Sequence, residues 1–155
     1  MSSTASTTEI IGSGRIGSFL AGAESCRVLG RSDSIDPEAA GSPIIITTRN
    51  DALADIIEKC PPGRRGDLVF VQNGYLDPLL AKYDLLSNTQ VLLYLSVTAL
   101  GAQAVDGVTT VNPEGLTTAT GIHAQAFADR LQQLSMKCNV VDGTSYRPSM
   151  FEKLM

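Results

Sequence analysis

Residues Gly12-Ser13-Gly14-Arg15-Ile16-Gly17 form a Gly-x-Gly-x-x-Gly run near the N-terminus. A β-prone stretch, Thr7 to Ile11, precedes it, and Ile16 to Ala23 follows as a short helix with Ile16, Phe19 and Leu20 on one face. That strand–turn–helix context gives the motif its meaning. Gly12 makes the tight turn. Gly14 lets the backbone approach a pyrophosphate, where a Cβ would clash. Gly17 lets the helix pack on the strand. The helix N-terminus offers free N–H groups and partial positive charge to the phosphates. The chemistry expected of Gly12, Ser13, Gly14, Arg15, Ile16 and Gly17 is therefore the cradling of a dinucleotide.

The end of the next apolar run decides which dinucleotide. A site for the unphosphorylated cofactor carries Asp or Glu there. This chain reads Val28-Leu29-Gly30-Arg31-Ser32. Arg31, with the Ser32 hydroxyl beside it, suits a 2′-phosphate, which it can grip through charge-assisted hydrogen bonds. The expected cofactor is NADP. The alternative makes Arg31 a solvated loop cation and Asp33 the ribose ligand.

Other polar residues are weaker candidates. Asn73 ends an apolar run before Gly74, where it could hydrogen-bond a carboxamide or keto acid, or simply form a turn. His123 is the only histidine and is read as a surface or capping residue. Arg64-Arg65, in a Pro/Gly loop, is read as a solvated turn. No Gly-x-Ser-x-Gly elbow and no Gly-Lys-Ser/Thr phosphate loop occurs, so acyl and phosphoryl transfer lack support. Cys26, Cys60 and Cys138 are far apart, without a Cys-x-x-Cys pair, and read as free buried thiols in a reducing compartment. No metal site is expected.

These residues need a scaffold. Cys26–Leu29 is a short apolar run, and the polar stretch Ser32 to Ser42 is a loop. Ile44–Thr48 and Asp67–Gln72 are continuous apolar runs, the mark of strands buried on both faces. Gln90–Val97 reads the same way. Helices are expected at Asn50–Lys59, with Asn50 as N-cap, at Asp77–Tyr83 with Pro78 in its first turn, and at His123–Met136. Val108–Val111 and Leu116–Thr120 read as short Thr-rich strands pairing antiparallel, and Cys138–Val141 as a last strand. The fold class is α/β: a Rossmann-like, doubly wound, mostly parallel sheet with antiparallel strands late in the chain.

With 155 residues, 43% hydrophobic and 18% charged, the chain can bury a core as one domain. Its net charge of −4 argues against a nucleic-acid surface. No apolar run approaches the roughly 20 residues of a membrane span. Residues 1–8 are expected to be a flexible tail without a secretory signal, and 9–145 the dinucleotide-binding domain. Tyr146 to Met155 reads as a helix starting where the chain stops, so 146–155 is expected to lead into a missing second domain. Exposed apolar residues there point to a homodimer.

In these motifs the chain resembles the N-terminal half of ketopantoate reductases, of the 6-phosphogluconate-dehydrogenase-like superfamily, from Glu9 to Leu154. The resemblance implies a Rossmann domain followed by a helical one, and reduction of a small 2-keto acid by NADPH, in the cytoplasm and in pantothenate biosynthesis. Gly12 to Gly17 matches the family's dinucleotide loop, and Arg31 its 2′-phosphate arginine. Ile44 to Arg49 is similar to a strand whose end carries a lysine near the cofactor. Here Arg49, after Thr48, keeps the charge and changes the geometry. Val71-Gln72-Asn73-Gly74 is similar to the strand end whose Asn lies near nicotinamide and substrate. Leu95 to Ala99 stands where a Thr-rich strand end lines the site. Phe151-Glu152-Lys153-Leu154 matches an aromatic-x-Lys-Leu pattern in which the lysine, here Lys153, is the general acid. As a residue in its own right, Lys153 also fits an exposed lysine of a frayed terminal helix.

Two departures stand out. The segment between Arg31 and Ile44 is short, as if a helix and a strand were missing, and the chain is expected to lack the helical domain. Two functions follow: a truncated or split NADPH-dependent reductase, or a non-catalytic NADP-binding module that docks a partner chain.

Overall fold

A computed structural model describes residues 8–12, 14–23, 26–30, 32–71, 76–93, 95–96, 105–106, 117–134, 136–144, 146 and 148, and nine strands and the helices named below lie among them. The strands are β1 (Thr8–Ile11), β2 (Cys26–Leu29), β3 (Ile44–Ile46), β4 (Leu68–Val71), β5 (Gln90–Leu92), β6 (Leu95–Ser96), β7 (Val105–Asp106), β8 (Thr118–Thr120) and β9 (Asn139–Val140). The helices are α1 (Arg15–Leu20), α2 (Leu53–Lys59), α3 (Asp77–Lys82) and α4 (Ala124–Gln133). Seven strands form one sheet in the order β2-β1-β3-β4-β5-β8-β9. The first five run parallel, β8 is antiparallel to β5, and β9 is parallel to β8. This is the expected mixed α/β sheet. From β1 the chain turns outward to β2, then crosses to β3 on the other side of β1. The strand order therefore reverses beside β1.

Period-two alternation sorts each apolar run onto two faces. Ile45, Val69, Val71 and Val91 point to the side covered by α1 and α4, where Leu20, Phe127 and Leu131 meet them. Ile44, Ile46, Leu68 and Phe70 point to the other side, under Leu53, Ile57 and Leu80 of α2 and α3. Both faces are buried, which is why the strands read as unbroken apolar runs rather than alternating ones. Each such side chain contributes roughly 1.5–3 kcal/mol by leaving water. Arg130 of α4 reaches across and donates from Nη1 to the Leu20 carbonyl at 2.9 Å, capping the end of α1.

Several elements depart from the expected ones. The stretch Gln90–Val97 is not one strand: β5 ends at Leu92, where its ladder with β8 ends, and Leu95–Ser96 pairs antiparallel with Val105–Asp106 in a separate sheet. Asn50 is not an N-cap; it begins a 3-10 turn (Asn50–Ala52) that runs into α2, with Arg49 ahead of it and no side-chain cap. The Pro/Gly loop after α2 is also a 3-10 turn, Pro62–Asp67. Val108–Val111 lies outside the described residues. Among the described residues, no helix is long and apolar enough to cross a membrane.

The connection from β2 to β3 carries no helix. Residues 32–42 form a strap of turns and extended backbone. It begins at the carboxyl end of β2 and returns to the amino end of β3.

Candidate functional site

Gly12 follows β1 with φ +110°, a conformation L side chains rarely adopt. Its N–H donates to the Leu29 carbonyl of β2 at 3.4 Å. A Cβ here would also fall 2.6 Å from Thr47 Oγ1, which itself donates to the Ile11 carbonyl at 2.9 Å. Gly17 is buried on the first turn of α1, and a Cβ there would collide with the Gly12 carbonyl. Protein packing thus enforces glycine at both positions. Gly14 is different. It is the N-cap of α1, exposed, at φ −74°, and no protein atom lies within 4 Å of where its Cβ would stand.

Beside this turn lies a cleft of about 1060 Å³ at the carboxyl ends of β1, β2 and β3. Ile11, Gly12, Leu29, Gly30, Thr48 and Arg49 line its floor and near wall. Asp33, Ser34 and Ile35 of the strap form the outer wall, and Asp51, Asp55 and Lys59 close the α2 side. The cleft sits where the strand order reverses, the place where open α/β sheets bind ligands. Arg49 is exposed, with Nε 3.6 Å from Asp51 Oδ1, and Lys59 pairs with Asp55 at 3.0 Å. Asp33 accepts the Gly30 N–H through Oδ2 at 2.7 Å. Ile16 packs against the α1-side core, and Arg15 and Ser32 are exposed. Ser13, Arg31, Asn73 and Lys153 lie outside the described residues. Of the residues expected to bind cofactor, the structure therefore brings Gly12, Thr48 and Arg49 together on one cleft, with Gly14 and Gly17 on the adjoining turn.

The amino ends of the same strands hold a feature that sequence reasoning missed. Arg64, expected to be solvated, is fully buried. It donates from Nε to Asp67 Oδ2 at 2.9 Å, from Nη1 to Glu9 Oε1 at 2.7 Å and to the Asp36 carbonyl at 2.5 Å, and from Nη2 to the Ser42 carbonyl at 2.8 Å. Burial alone would lower its pKa; the bonds to Glu9 and Asp67 outweigh that and raise it. His123, expected at the surface or as a cap, is the N-cap residue of α4 but makes no side-chain cap; it is buried too, with Nε2 2.9 Å from Asp67 Oδ1. Burial alone would raise the Asp67 pKa, but the hydrogen bonds from His123, Arg64 and the Gly41 amide hold it below the usual carboxylate range. An ionised carboxylate only accepts, so His123 carries its hydrogen on Nε2. One signal was available: Glu9 interrupts an apolar strand, and a carboxylate buried there requires a cation.

No protein-family model matches the chain, and no curated protein matches it. Solved structures do. Ketopantoate reductase from Staphylococcus aureus, described as dimeric, superposes with a TM-score of 0.56 at 16% identity, over 87% of this chain and 55% of that one. For 2-dehydropantoate 2-reductase from Methylococcus capsulatus the values are 0.53, 14%, 87% and 56%. D-mandelate dehydrogenase, solved with NADH and anilino(oxo)acetate, gives 0.55, 13%, 90% and 58%. The chain spans little more than half the length of each. The likeness is one of fold: this is the Rossmann-like fold of ketopantoate reductases and related dehydrogenases.

Proposed function

We propose that the chain is the nicotinamide-dinucleotide-binding domain of an oxidoreductase. The observation that carries this is a cleft at the switch point of the sheet, beside a glycine turn in which packing leaves no room for a side chain at Gly12 or Gly17. The residues present fit a dinucleotide. Gly14 is exposed at the start of α1, and the cleft beside it is large enough for a nucleoside. NADP is the cofactor we favour, with Arg31 and Ser32 on the 2′-phosphate. The substrate class we favour is a small 2-keto acid.

When bound, the reduced cofactor supplies a hydride to the carbonyl carbon. The chain's residues then have separable roles. Gly12, Ser13, Gly14, Arg15, Ile16 and Gly17 hold the pyrophosphate. Thr48 and Arg49 line the path from it, and Asn73 orients the carboxamide and the keto acid. Lys153 gives its ammonium proton to the oxygen that gains negative charge, leaving the alcohol and a neutral amine. Substrate selection falls to a second domain, and pairing of two copies accompanies it. We place the protein in the cytoplasm.

A second reading, binding of NAD, is favoured by Asp33, whose carboxylate lines the cleft just past β2. A third, a non-catalytic NADP-binding module docking another chain, differs in having no turnover. Titration with NADPH and NADH separates the first two, and an assay with 2-keto acids and NADPH separates the third. NADPH oxidation that needs Lys153 supports the enzyme, and tight binding without turnover supports the module.

A further inference from the structure

The strap at residues 32–42 replaces the helical crossover expected between parallel strands. A helix satisfies its own backbone; a strap must find partners elsewhere. Local turns supply some, such as the Ser42 N–H to the Ala39 carbonyl at 3.1 Å, and charged side chains supply others. Arg64 takes the carbonyls of Asp36 and Ser42, and Asp67 takes the Gly41 N–H at 2.9 Å. Glu9 Oε2 takes the Asp36 N–H at 3.1 Å, and Arg27 Nη2 donates to the Ser34 carbonyl at 2.8 Å. Arg27 also pairs with Glu9 at 3.3 Å, which joins the two arginines through one carboxylate. The ionic network thus ties the strap to β1, β2 and the turn before β4, with Arg64, Glu9 and Asp67 at the opposite end of the strands from the cleft.

We propose that Arg64 and Arg27 are positioning residues for the cleft: they fix the strap and thereby the wall formed by Asp33, Ser34 and Ile35. The proposal rests on the cleft being the nucleotide site. Arg64 anchors the far end of the strap from the buried side. Arg27, half-exposed on β2, holds its near end one residue from Asp33. Neither touches the cleft.

The test measures hydrogen exchange along the chain and the affinity for NADPH and NADH. It compares wild type with Arg27→Ala, Arg27→Lys and Arg64→Lys. Arg27→Ala is expected to speed exchange in residues 32–42 while β3 and β4 stay protected, and to weaken nucleotide binding by about tenfold, the equivalent of one charged hydrogen bond. Arg27→Lys, which keeps a cationic donor for the Ser34 carbonyl, is expected to restore most of that loss. Arg64→Lys loses the fork and is expected to loosen the whole strap; should it not fold, the Arg27 pair carries the test. Strap exchange unchanged in Arg27→Ala overturns the proposal, and so does a loosened strap with wild-type affinity. Wild-type protein that binds neither nucleotide overturns the site reading first, and the positioning role with it.

Discussion

Arg64 Nε lies 2.9 Å from Oδ2 of Asp67, and the guanidinium is wholly shielded from water. Its other nitrogens reach Glu9 and two strap carbonyls, so one cation serves two carboxylates and the backbone of the crossover. Removing it strands buried negative charge. Arg64→Met is expected to cost about 3–5 kcal/mol of folding free energy, read as a lower urea midpoint. A loss below roughly 1 kcal/mol, the worth of an exposed pair, would contradict the burial.

The depressed pKa of Asp67 makes stability depend on pH in a defined direction. Above its ordinary value of 3.8 the carboxylate is ionised whether the chain is folded or unfolded, and the network contributes fully. Below that value the unfolded chain takes up the proton first. The contribution is then lost as pH falls through the lower folded pKa. Urea denaturation should give little change from this group between neutral pH and about pH 5, and a fall below about pH 4. Asp67→Asn should flatten that fall; an equally steep fall in the variant would contradict the assignment.

Gly14 and Gly17 should separate binding from folding. Gly14→Ala meets no protein atom within 4 Å and should cost less than about 1 kcal/mol, the difference between the two residues at an N-cap. It should nonetheless weaken nucleotide binding strongly, because the methyl occupies the ligand's approach. Gly17→Ala drives a Cβ into the Gly12 carbonyl and should lower the melting temperature as well. Equal effects of the two substitutions on the melt would contradict the distinction.

Of the three thiols expected to be buried, only Cys60 is; Cys26 and Cys138 are half-buried, and desolvation pushes Cys60 and Cys138 to pKa values of about 11 and about 12. The thiolate is the reactive form, so both should alkylate slowly at neutral pH in the native protein. Unfolding in urea should expose them to rapid labelling. Fast native labelling of Cys60, which is buried behind α2, would contradict its packing.

The sheet was legible because its strands are apolar on both faces. Ile44 to Ile46 and Leu68 to Val71 cannot sit elsewhere, and the glycine run after β1 follows from backbone constraints at Gly12 and Gly17 that Thr47 explains. An antiparallel strand late in the chain was legible from the Thr-rich stretch ending in β8, but its pairing with β5 was not; the partner expected, Val108–Val111, lies outside the described residues. The ionic network was not legible. Glu9, Arg64, Asp67 and His123 are far apart in sequence, and each alone has an ordinary surface reading. Only the strand order brings Glu9 on β1 near the turn before β4, and only the antiparallel return of β8 delivers His123 to Asp67. The short connection after Arg31 was visible as a shortening, but not the charged side chains that stand in for its helix.

The central claim is that the cleft beside Gly14 holds a nicotinamide dinucleotide. Calorimetric titration of the folded chain with NADPH and NADH tests it most directly. Saturable one-to-one binding is expected, tighter for NADPH, with the preference lost in Arg31→Ala and binding itself lost in Gly14→Ala. A folded chain that binds neither nucleotide would contradict it.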